Sequence, residues 1–412
     1  MKARIQDGVV YSPFPSCEIP RCSFYTAAKE RLARTPSKRA LVDDTVTLSR
    51  SELLARLQRY GAGFQAHGIG YGDRVCVHLS NSVENFVAMF GCIVAGATVI
   101  LAKITLTAST GLHVLTGAPV TSRVRFWISR RRCVGLFVMG DAPGFVSASK
   151  FRDHSERAFQ EVKIADPENT VLALCYTSGT TGLPKGVEIT HYSFVGNIYT
   201  SAPCMSSDDS DIVLANSPIT HGSGLLLTMA ATLLGGTCVI ASPFLSPEEI
   251  CDAVNKHQIT AMFLFPTRLQ ALVRAMQRTG ERLCSVRRIG VGGSPLSAEL
   301  AAETLGAFGG AECLMNMYGM SESCGILCSP SMAGVKHTDL GFPAAMTKIR
   351  IVDVHTRKTL GPNEVGELEF KIPIVTRGYY KKPEATAALK GQDGWCRSGK
   401  SFLAPRDQRV WY

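Results

Sequence analysis

The sequence predicts an α/β protein in which two mixed or parallel sheets pack together under helices, with a small distorted β subdomain near the C-terminal end. Three observations predict this fold class. Short apolar strands alternate with helical patterns through most of the chain, which indicates parallel sheets covered on both faces. Beyond about Thr347 the pattern changes to antiparallel strands with glycine and proline turns. The length of 412 residues is typical of roughly two to four domains, or one large domain with subdomains.

The first helix and strand of this alternation are predicted between residues 49 and 79. Ser49 and Glu52 form a capping box that begins an amphipathic helix, and glycines at 68, 70 and 72 end it. Residues 74–79 are predicted as a strand. The uncharged stretch 86–102 falls short of the ~18–20 residues of a membrane-spanning helix. We therefore predict a buried helix, a glycine turn and a buried strand there, and no transmembrane span.

The middle and the end of the chain continue the pattern. Ser246 is predicted to cap a helix that has proline in its first turn and runs to about His257. The next predicted elements are a strand at 261–265, a helix at 267–278, a strand at 288–291, a helix at 298–307 and a strand at 313–316. The predicted antiparallel strands are 348–352 and 366–370.

Composition excludes several classes of protein. Hydrophobic residues make up 45% and charged residues 19%, which excludes a disordered, a collagen-like or a disulfide-scaffold chain. The net charge of +10 favours an anionic partner, whether nucleic acid, a membrane surface or a phosphorylated small molecule. The 14 cysteines include no Cys-x-x-Cys pair, so we expect buried free thiols in a reducing compartment. The N-terminus has no apolar leader, and we expect a cytoplasmic protein.

The strongest chemical signal is a glycine- and threonine-rich loop. It lies between the predicted strands 171–176 and 187–190 and contains Thr177, Ser178, Gly179, Thr180, Thr181, Gly182 and Lys185. Small residues leave backbone N–H groups free to surround an anion, and a lysine adds a mobile positive charge for phosphate oxygens. Glycine follows the lysine and no helix begins there, so this is not a Walker A loop. The alternative is a glycine- and threonine-rich surface hairpin. The composition of the loop and its position between two strands favour phosphate binding.

This loop resembles the signature of the adenylate-forming superfamily, which comprises acyl- and aryl-CoA synthetases such as 4-coumarate-CoA ligase, firefly-type luciferases and peptide-synthetase adenylation domains. Further matches follow in the family's order, at 218–224, 292–296, 316–322, 366–368 and 378–386. The resemblance covers about residues 42–103 and 137–398. It implies the five-layered αβαβα large domain of that superfamily. It also implies activation of a carboxylic acid, fatty or aromatic, with ATP and Mg²⁺ to an acyl-adenylate, followed by transfer to coenzyme A.

The resemblance also implies roles for residues. The loop from Thr177 to Thr181, with Lys185, corresponds to the triphosphate site, and His221 borders the acyl pocket. Glu322 corresponds to the Mg²⁺ ligand, a role that suits a carboxylate. The catalytic set is thus His221, Lys185, Ser321 and Glu322. By the same resemblance, the loop that lies against adenine is Gly292, Gly293, Ser294 and Pro295. The other nucleotide-binding positions are Asn316, Met317, Tyr318 and Gly319. Tyr318 is implied to stack on adenine, and Ser321 to hydrogen-bond the α-phosphate.

Each of these residues has an ordinary structural explanation when it is taken alone. Tyr318 followed by glycine is typical of a turn at a strand end, Glu322 of a solvated acid, and His221 of a hydrogen-bonded loop histidine. Their order along the chain, rather than any one of them, favours the functional interpretation.

The sequence departs from the family in residues 104–133. This stretch has five arginines and no acidic residue, so it supplies half of the net charge. The family has a turn and an amphipathic helix there. Our hypothesis is an out-of-frame or alternatively spliced stretch. A nucleic-acid- or lipid-binding arginine patch is the alternative.

Two further departures lie near the C-terminal end. Lys400 stands where the family has an aspartate that holds the ribose hydroxyls, and a lysine accepts no hydrogen bond. The chain stops at Tyr412, before the hinge and the small C-terminal domain that the family carries. We therefore expect residues 1–41 to be a lead-in, 42–345 two α/β subdomains, and 346–412 a truncated β subdomain. We expect adenylation to be slowed. The alternative is a catalytically dead product that binds nucleotide or a partner. A basic nucleic-acid-binding protein is a remote alternative.

Overall fold

The structure, a computed structural model, describes residues 2–102, 113–116, 135–177, 184–205, 208–309, 311–330 and 339–403. The described residues form helices α1 (Phe24–Ala33), α2 (Arg50–Ala66), α3 (Val83–Val94), α4 (His191–Met205), α5 (Gly222–Leu234), α6 (Pro247–His257), α7 (Pro266–Thr279), α8 (Ala298–Phe308) and α9 (Pro383–Leu389). None of the helices in these ranges is long and apolar enough to cross a membrane.

Most strands in the described ranges are short. They are β1 (Arg4–Gln6), β2 (Val9–Tyr11), β3 (Arg39–Val42), β4 (Thr47–Ser49), β5 (Arg74–His78), β6 (Thr98–Leu101), β7 (His113–Thr116), β8 (Leu136–Val138), β9 (Val146–Ser147), β10 (Val171–Thr177), β11 (Lys185–Thr190), β12 (Ile212–Ala215), β13 (Thr237–Ile240), β14 (Ala261–Leu264), β15 (Arg288–Gly292), β16 (Cys313–Met320), β17 (Gly325–Ser329), β18 (Phe342–Pro343), β19 (Lys348–Val352), β20 (Val365–Lys371) and β21 (Cys396–Leu403).

Two large sheets carry the parallel strands that the alternating pattern predicted. The seven-stranded sheet has the order β11-β10-β6-β5-β7-β8-β9, and only its β10–β11 pair is antiparallel. The nine-stranded sheet has the order β18-β17-β16-β15-β14-β12-β13-β3-β4, with parallel strands in the middle and antiparallel pairs at its ends. The predicted α/β class with mixed, largely parallel sheets is confirmed.

The helix starts follow from local chemistry. Ser49 and Glu52 form the predicted capping box at the start of α2, and Ser246 and Glu249 form another at α6. In each box the serine hydroxyl accepts from the backbone N–H three residues on, and the glutamate accepts from the serine N–H, which satisfies two otherwise unpaired donors. The predicted buried helix, turn and strand in 86–102 are also confirmed, as α3, a left-handed turn at Gly96 (φ +105°) and β6.

The third sheet is antiparallel and has the order β1-β2-β19-β20-β21. It confirms the predicted change of pattern near Thr347, because β19 pairs with β20 antiparallel. The hairpin of β1 and β2 joins the same sheet through Lys348 and Ile349, which lie opposite Tyr11 and Val10. Residues 4–11 and 348–403 therefore share a sheet, and the predicted domain boundaries at 42 and 346 stay a prediction.

The largest apolar core joins the two large sheets. Phe24 of α1, Phe90 of α3 and Phe194 of α4 form a ring cluster in it, with centroids 4.9 to 5.9 Å apart. All cysteines among the described residues are free thiols, and most are buried, as the sequence predicted. Within 104–133 only the backbone of β7 is described, where it pairs with β5 and β8; the hypothesis of a frame change there lies outside the described residues.

Candidate functional site

A cavity of about 800 Å³ lies where edges of the three sheets converge. The seven-stranded sheet contributes β10 and β11, the nine-stranded sheet contributes β16 and the residues that follow β15, and the antiparallel sheet contributes β20 and β21. The predicted site residues that line this cavity are Thr177, Lys185, His221, Gly293, Ser294, Pro295, Tyr318, Gly319, Ser321 and Glu322. The structure thus places in one cavity residues that are up to 145 positions apart in the sequence.

Thr177 and Lys185 face each other across the ends of two strands. Thr177 is the last residue of β10 and Lys185 the first of β11, and the two are paired in register. The Lys185 ammonium lies 5.1 Å from the centre of the Tyr379 ring, an attractive cation–π distance. The loop between them, with the predicted residues Ser178, Gly179, Thr180, Thr181 and Gly182, lies outside the described residues.

Glu322 is buried and is held by the segment that follows β20. The Tyr379 hydroxyl donates to Glu322 Oε1 at 2.7 Å, and the Thr376 N–H donates to the Glu322 carbonyl at 2.8 Å. Burial and this hydrogen bond to the carboxylate raise the pKa of Tyr379 well above its usual value. Tyr379 therefore stays a neutral donor and holds the carboxylate in the cavity wall.

Tyr318 lies near the end of β16 and Ser321 directly follows this strand, and both line the large cavity. The ring of Tyr318 packs edge to face on Phe402 of β21, with centroids 4.9 Å apart. The Ser321 Oγ lies 4.0 Å from the Cys175 Sγ on β10. Through these contacts the end of β16 meets β21 of the antiparallel sheet and β10 of the seven-stranded sheet.

His221 lies between the large cavity and a second, smaller one. It is the N-cap of α5, and its Nδ1 accepts from the Ser223 N–H at 3.2 Å. A tight approach follows it, because a Cβ on Gly224 would lie 2.0 Å from the Pro218 carbonyl oxygen. The first turn of α5 therefore needs glycine at position 224, because it packs closely against the loop that precedes His221.

The smaller cavity has a volume of about 260 Å³ and is lined mainly by apolar side chains. Its walls come from α5, β12, β14, β15 and β16. Residues 221, 293 and 318–321 line both cavities, so the two are contiguous there. A ligand that spans both would place its apolar part beside α5 and its polar part beside Glu322.

Not every predicted nucleotide-binding residue lines the large cavity. Gly292 and Met317 line the smaller cavity, and Asn316 is fully buried in β16 and lines neither. Gly292 and Met317 are partners across β15 and β16, and a Cβ on Gly292 would lie 2.7 Å from the Met317 carbonyl oxygen. The predicted motifs therefore contribute to the wall of the smaller cavity and to the buried part of the sheet as well as to the large cavity.

Lys400 lines the large cavity, next to Arg397 on β21. The turn before it has Gly399 in the left-handed region (φ +65°), and the Gly399 N–H donates to Glu367 Oε1 at 2.9 Å. Glu367 is also paired with Arg357, so this carboxylate is engaged on both oxygens. This part of the cavity wall is therefore net basic.

The sequence analysis gave no role to Tyr379, Glu367 or Arg397, although all three line the large cavity. Tyr379 lies in the family match at 378–386, and a tyrosine hydroxyl there could have indicated a hydrogen-bond donor in the site. Arg397 comes just before the altered Ser398-Gly399-Lys400 stretch. Glu367 is close to the cavity only through the pairing of β20 with β21, which no local pattern reveals.

The wall around Glu322 is compatible with a metal ion that brings other ligands with it. Among the described residues no group of three or more His, Cys, Asp or Glu side chains could hold a metal ion by itself. Mg²⁺ is commonly bound by one or two carboxylates together with substrate phosphates and water. One buried carboxylate, Glu322, in the same cavity as Lys185 fits that mode.

Comparison with protein families shows the class of protein. The family described as AMP-binding enzyme matches residues 28–380, and the chain belongs to this family. The chain is 28% identical over 407 residues to pyochelin synthase PchD of Pseudomonas aeruginosa (strain UCBPP-PA14), covering 93% of this chain and 72% of that one. It is 26% identical over 418 residues to 4-coumarate–CoA ligase 1 of Petroselinum crispum, covering 96% of this chain and 76% of that one.

Solved structures show the same fold. The luciferase-like enzyme from the nonluminescent mealworm Zophobas morio superposes with a TM-score of 0.88 at 22% identity, over 98% of this chain and 97% of that one. The resemblance to the adenylate-forming superfamily is thereby confirmed, and the two α/β sheets are those of its large domain.

Proposed function

We propose that the protein activates a carboxylic acid with ATP to an acyl-adenylate and then forms a coenzyme A thioester. The observation that carries this proposal is the contiguity of the two cavities at residues 221 and 318–321. An apolar cavity for an acid tail opens into a polar cavity that has a lysine at a strand end and a buried carboxylate. Family membership supports the same chemistry.

In the first step a carboxylate oxygen forms a bond to the α-phosphorus of ATP. The bond between that phosphorus and the bridging oxygen to the β-phosphate breaks, and pyrophosphate leaves with the bonding electrons. Such a displacement needs positioning and charge neutralisation more than it needs a base. In the second step the thiol of coenzyme A gives up its proton to water and its sulfur forms a bond to the acyl carbon; the bond between that carbon and the phosphate oxygen breaks, and AMP leaves.

Residues of the large cavity and of its border with the smaller one carry the charge stabilisation in this proposal. Lys185 neutralises phosphate oxygens, and Ser321 donates to the α-phosphate. His221 lies at the border, beside the reacting carboxylate, with its orientation fixed by the Ser223 N–H. Tyr318 and the 293–295 loop form the walls against which adenine packs.

A bound Mg²⁺ would supply positive charge beside the phosphate oxygens. Glu322 would hold it, and Tyr379 keeps the Glu322 carboxylate in place. We infer a small acid, with one aromatic ring or a medium-length chain, because the 260 Å³ cavity lies just below the usual size range of ligand pockets. This cavity size is compatible with both the fatty and the aromatic acids that members of the superfamily activate. The cytoplasmic location stays a prediction.

Acid-dependent exchange of labelled pyrophosphate into ATP tests the proposal. We expect exchange with at least one member of a panel of fatty and aromatic acids, and a large loss in the Lys185→Ala variant. A Lys381→Ala variant is the matched control, because Lys381 stays outside both cavities. Exchange that is absent with every acid, or equal in the two variants, would contradict the proposal.

A nucleotide-binding protein without catalysis is the second candidate. Lys400 favours it, because a basic side chain occupies the cavity wall where an acceptor for ribose hydroxyls is expected. It predicts that ATP binds and that pyrophosphate exchange does not occur with any acid. The remote nucleic-acid alternative rests on the arginines of 104–133, which lie outside the described side chains.

A further inference from the structure

Residues 376–380 lie along the outer edge of the seven-stranded sheet. The Tyr380 N–H donates to the Gly186 carbonyl at 2.8 Å, and Tyr379 forms an antiparallel bridge with Val187. Because β11 is the last strand on that side of the sheet, this segment extends the sheet by a short further pairing. The segment thus lies against the first half of β11.

The segment is also held just before Tyr379. The Thr376 hydroxyl donates to the Glu188 carbonyl at 2.7 Å, and Arg377 Nη1 lies 3.0 Å from Glu188 Oε2. The backbone is therefore held on both sides of Tyr379, so the side chain of this residue has a defined place.

The pairing decides which face of the sheet carries the Tyr379 ring. Residues opposite each other in an antiparallel pair project to the same face, and so do alternate residues of one strand. Tyr379 lies opposite Val187, which comes two residues after Lys185 on β11. Tyr379 and Lys185 therefore share a face, and the Lys185 ammonium lies over the Tyr379 ring, 5.1 Å from its centre.

The other end of the Tyr379 side chain contacts Glu322. The Tyr379 hydroxyl donates to Glu322 Oε1 at 2.7 Å, and Glu322 is 7% exposed. In the described part of the chain no ion pair joins Lys185 to Glu322, and both charged groups contact Tyr379. One tyrosine thus lies between two opposite charges of the large cavity, with its ring on one and its hydroxyl on the other.

This arrangement has a consequence for the two charges. Opposite charges in one cavity attract each other, and a lysine ammonium moves on a flexible four-carbon stem. An ion pair between them would engage both groups and leave less charge for a ligand. The tyrosine instead offers the carboxylate a neutral donor and the ammonium the negative face of a ring.

We propose that Tyr379 is a positioning residue that keeps Lys185 and Glu322 apart, so that the lysine serves phosphate oxygens and the carboxylate serves the metal ion. This inference rests on the proposed function and deepens it, because it explains how one cavity keeps two opposite charges available. Without the hydroxyl, the Glu322 carboxylate would turn to Lys185, and both groups would be lost to ATP.

Calorimetric titration of the whole chain with ATP, with and without Mg²⁺, tests the proposal. For Tyr379→Phe we expect the dissociation constant with Mg²⁺ to rise about tenfold or more, as is typical when the partner of a metal ligand is removed. The constant without Mg²⁺ should also rise, by about threefold or more, because Lys185 becomes paired. Tyr380→Phe is the matched control, since it removes a hydroxyl from the next residue, which lines neither cavity, and should change neither constant.

A second substitution separates spacing from a general structural role. Glu322→Gln removes the charge that would capture Lys185. In the double variant Tyr379→Phe with Glu322→Gln, ATP binding without Mg²⁺ should therefore return to within about twofold of the unchanged protein, whereas structural damage would add to the loss. Tyr379→Leu should show the same loss and the same recovery, and it serves if Tyr379→Phe does not fold.

The outcomes separate the two proposals, because these constants are measured without an acid. Unchanged ATP binding in Tyr379→Phe, or no recovery in the double variant, would overturn the spacing role and leave acid activation standing. Pyrophosphate exchange that is absent with every acid would overturn acid activation alone. If ATP does not bind the unchanged protein, both proposals fail.

Discussion

The two cavities that meet at His221 differ in how they are built. The large one combines apolar residues with charged and polar groups, including Lys185, Glu322 and Lys400. The small one is lined mainly by apolar side chains from the interior of strands and from α5, with the Arg288–Asp211 pair as its charged exception. In the proposed reaction, the large cavity would stabilise charge, which needs charged groups at fixed points, and the small cavity would select the acid by its shape.

The largest effect is expected in the polar cavity. Lys185→Ala should lower the rate of pyrophosphate exchange about 100- to 1,000-fold, because a donor to transition-state charge is lost. Binding of the acid to the apolar cavity should not change. Kinetics of exchange together with calorimetric titration of the acid measures both, and a parallel loss of acid binding would show that the two cavities are not independent.

The next effect belongs to the scaffold that both cavities share. Burial lowers the pKa of His191 from 6.5 to about 4, and its Nδ1 accepts from the Phe24 N–H at 3.1 Å. Because the unfolded chain binds the proton first, this contribution to stability is complete above pH 6.5 and is lost as the pH falls from 6.5 towards about 4. The loss amounts to about 3 kcal/mol.

Urea unfolding between pH 7 and pH 4 measures this dependence. His191→Gln keeps an acceptor that does not titrate in this range, so its stability should fall less over the same interval. An equal pH dependence in the two proteins would contradict the assignment to His191.

A smaller effect is expected at the basic end of the polar cavity. Lys400→Asp introduces an acceptor there, and we expect ATP to bind more tightly by about 1–3 kcal/mol. Lys400→Ala is the control that separates loss of the positive charge from gain of the acceptor. Equal ATP dissociation constants for the two variants would show that the acceptor is not the reason.

The smallest effect concerns the apolar cavity. A Cβ on Gly290 would lie 2.5 Å from the Met317 Cε and 3.2 Å from the Phe263 ring. Met317 is flexible enough to move, so Gly290→Ala should raise the acid KM only about 3- to 10-fold and leave ATP binding unchanged. A change in the ATP dissociation constant of similar size would contradict the separation of the two cavities.

The same contrast explains what the sequence predicts. The polar cavity is built from contiguous motifs at strand ends, so Thr177, Lys185 and Tyr318 were found from local patterns. The capping box at Ser49 and the serine cap with a following proline at Ser246 likewise predicted where α2 and α6 begin. Such features depend on residues within a few positions of one another, and their chemistry is visible without the fold.

The rest depends on pairings across long stretches of chain. The Asp211–Arg288 pair joins residues 77 positions apart, and Phe402 meets Tyr318 only when β21 joins the antiparallel sheet. The β1–β2 hairpin consists of two three-residue strands, too short to show a pattern, and it pairs with β19 more than 300 residues away. The periodicity of the sequence does not indicate such contacts. The apolar cavity and the strand pairing of the third sheet therefore could not be predicted without the structure.

Transfer of an oxygen atom tests the central claim most directly. The protein is incubated with ATP, Mg²⁺, coenzyme A and a carboxylic acid labelled with ¹⁸O in its carboxyl group, and the AMP is analysed by mass spectrometry. Attack of the carboxylate on the α-phosphorus predicts one ¹⁸O atom in the AMP, formed in amounts equal to the pyrophosphate. Unlabelled AMP, or ADP and inorganic phosphate in its place, would contradict acyl-adenylate formation.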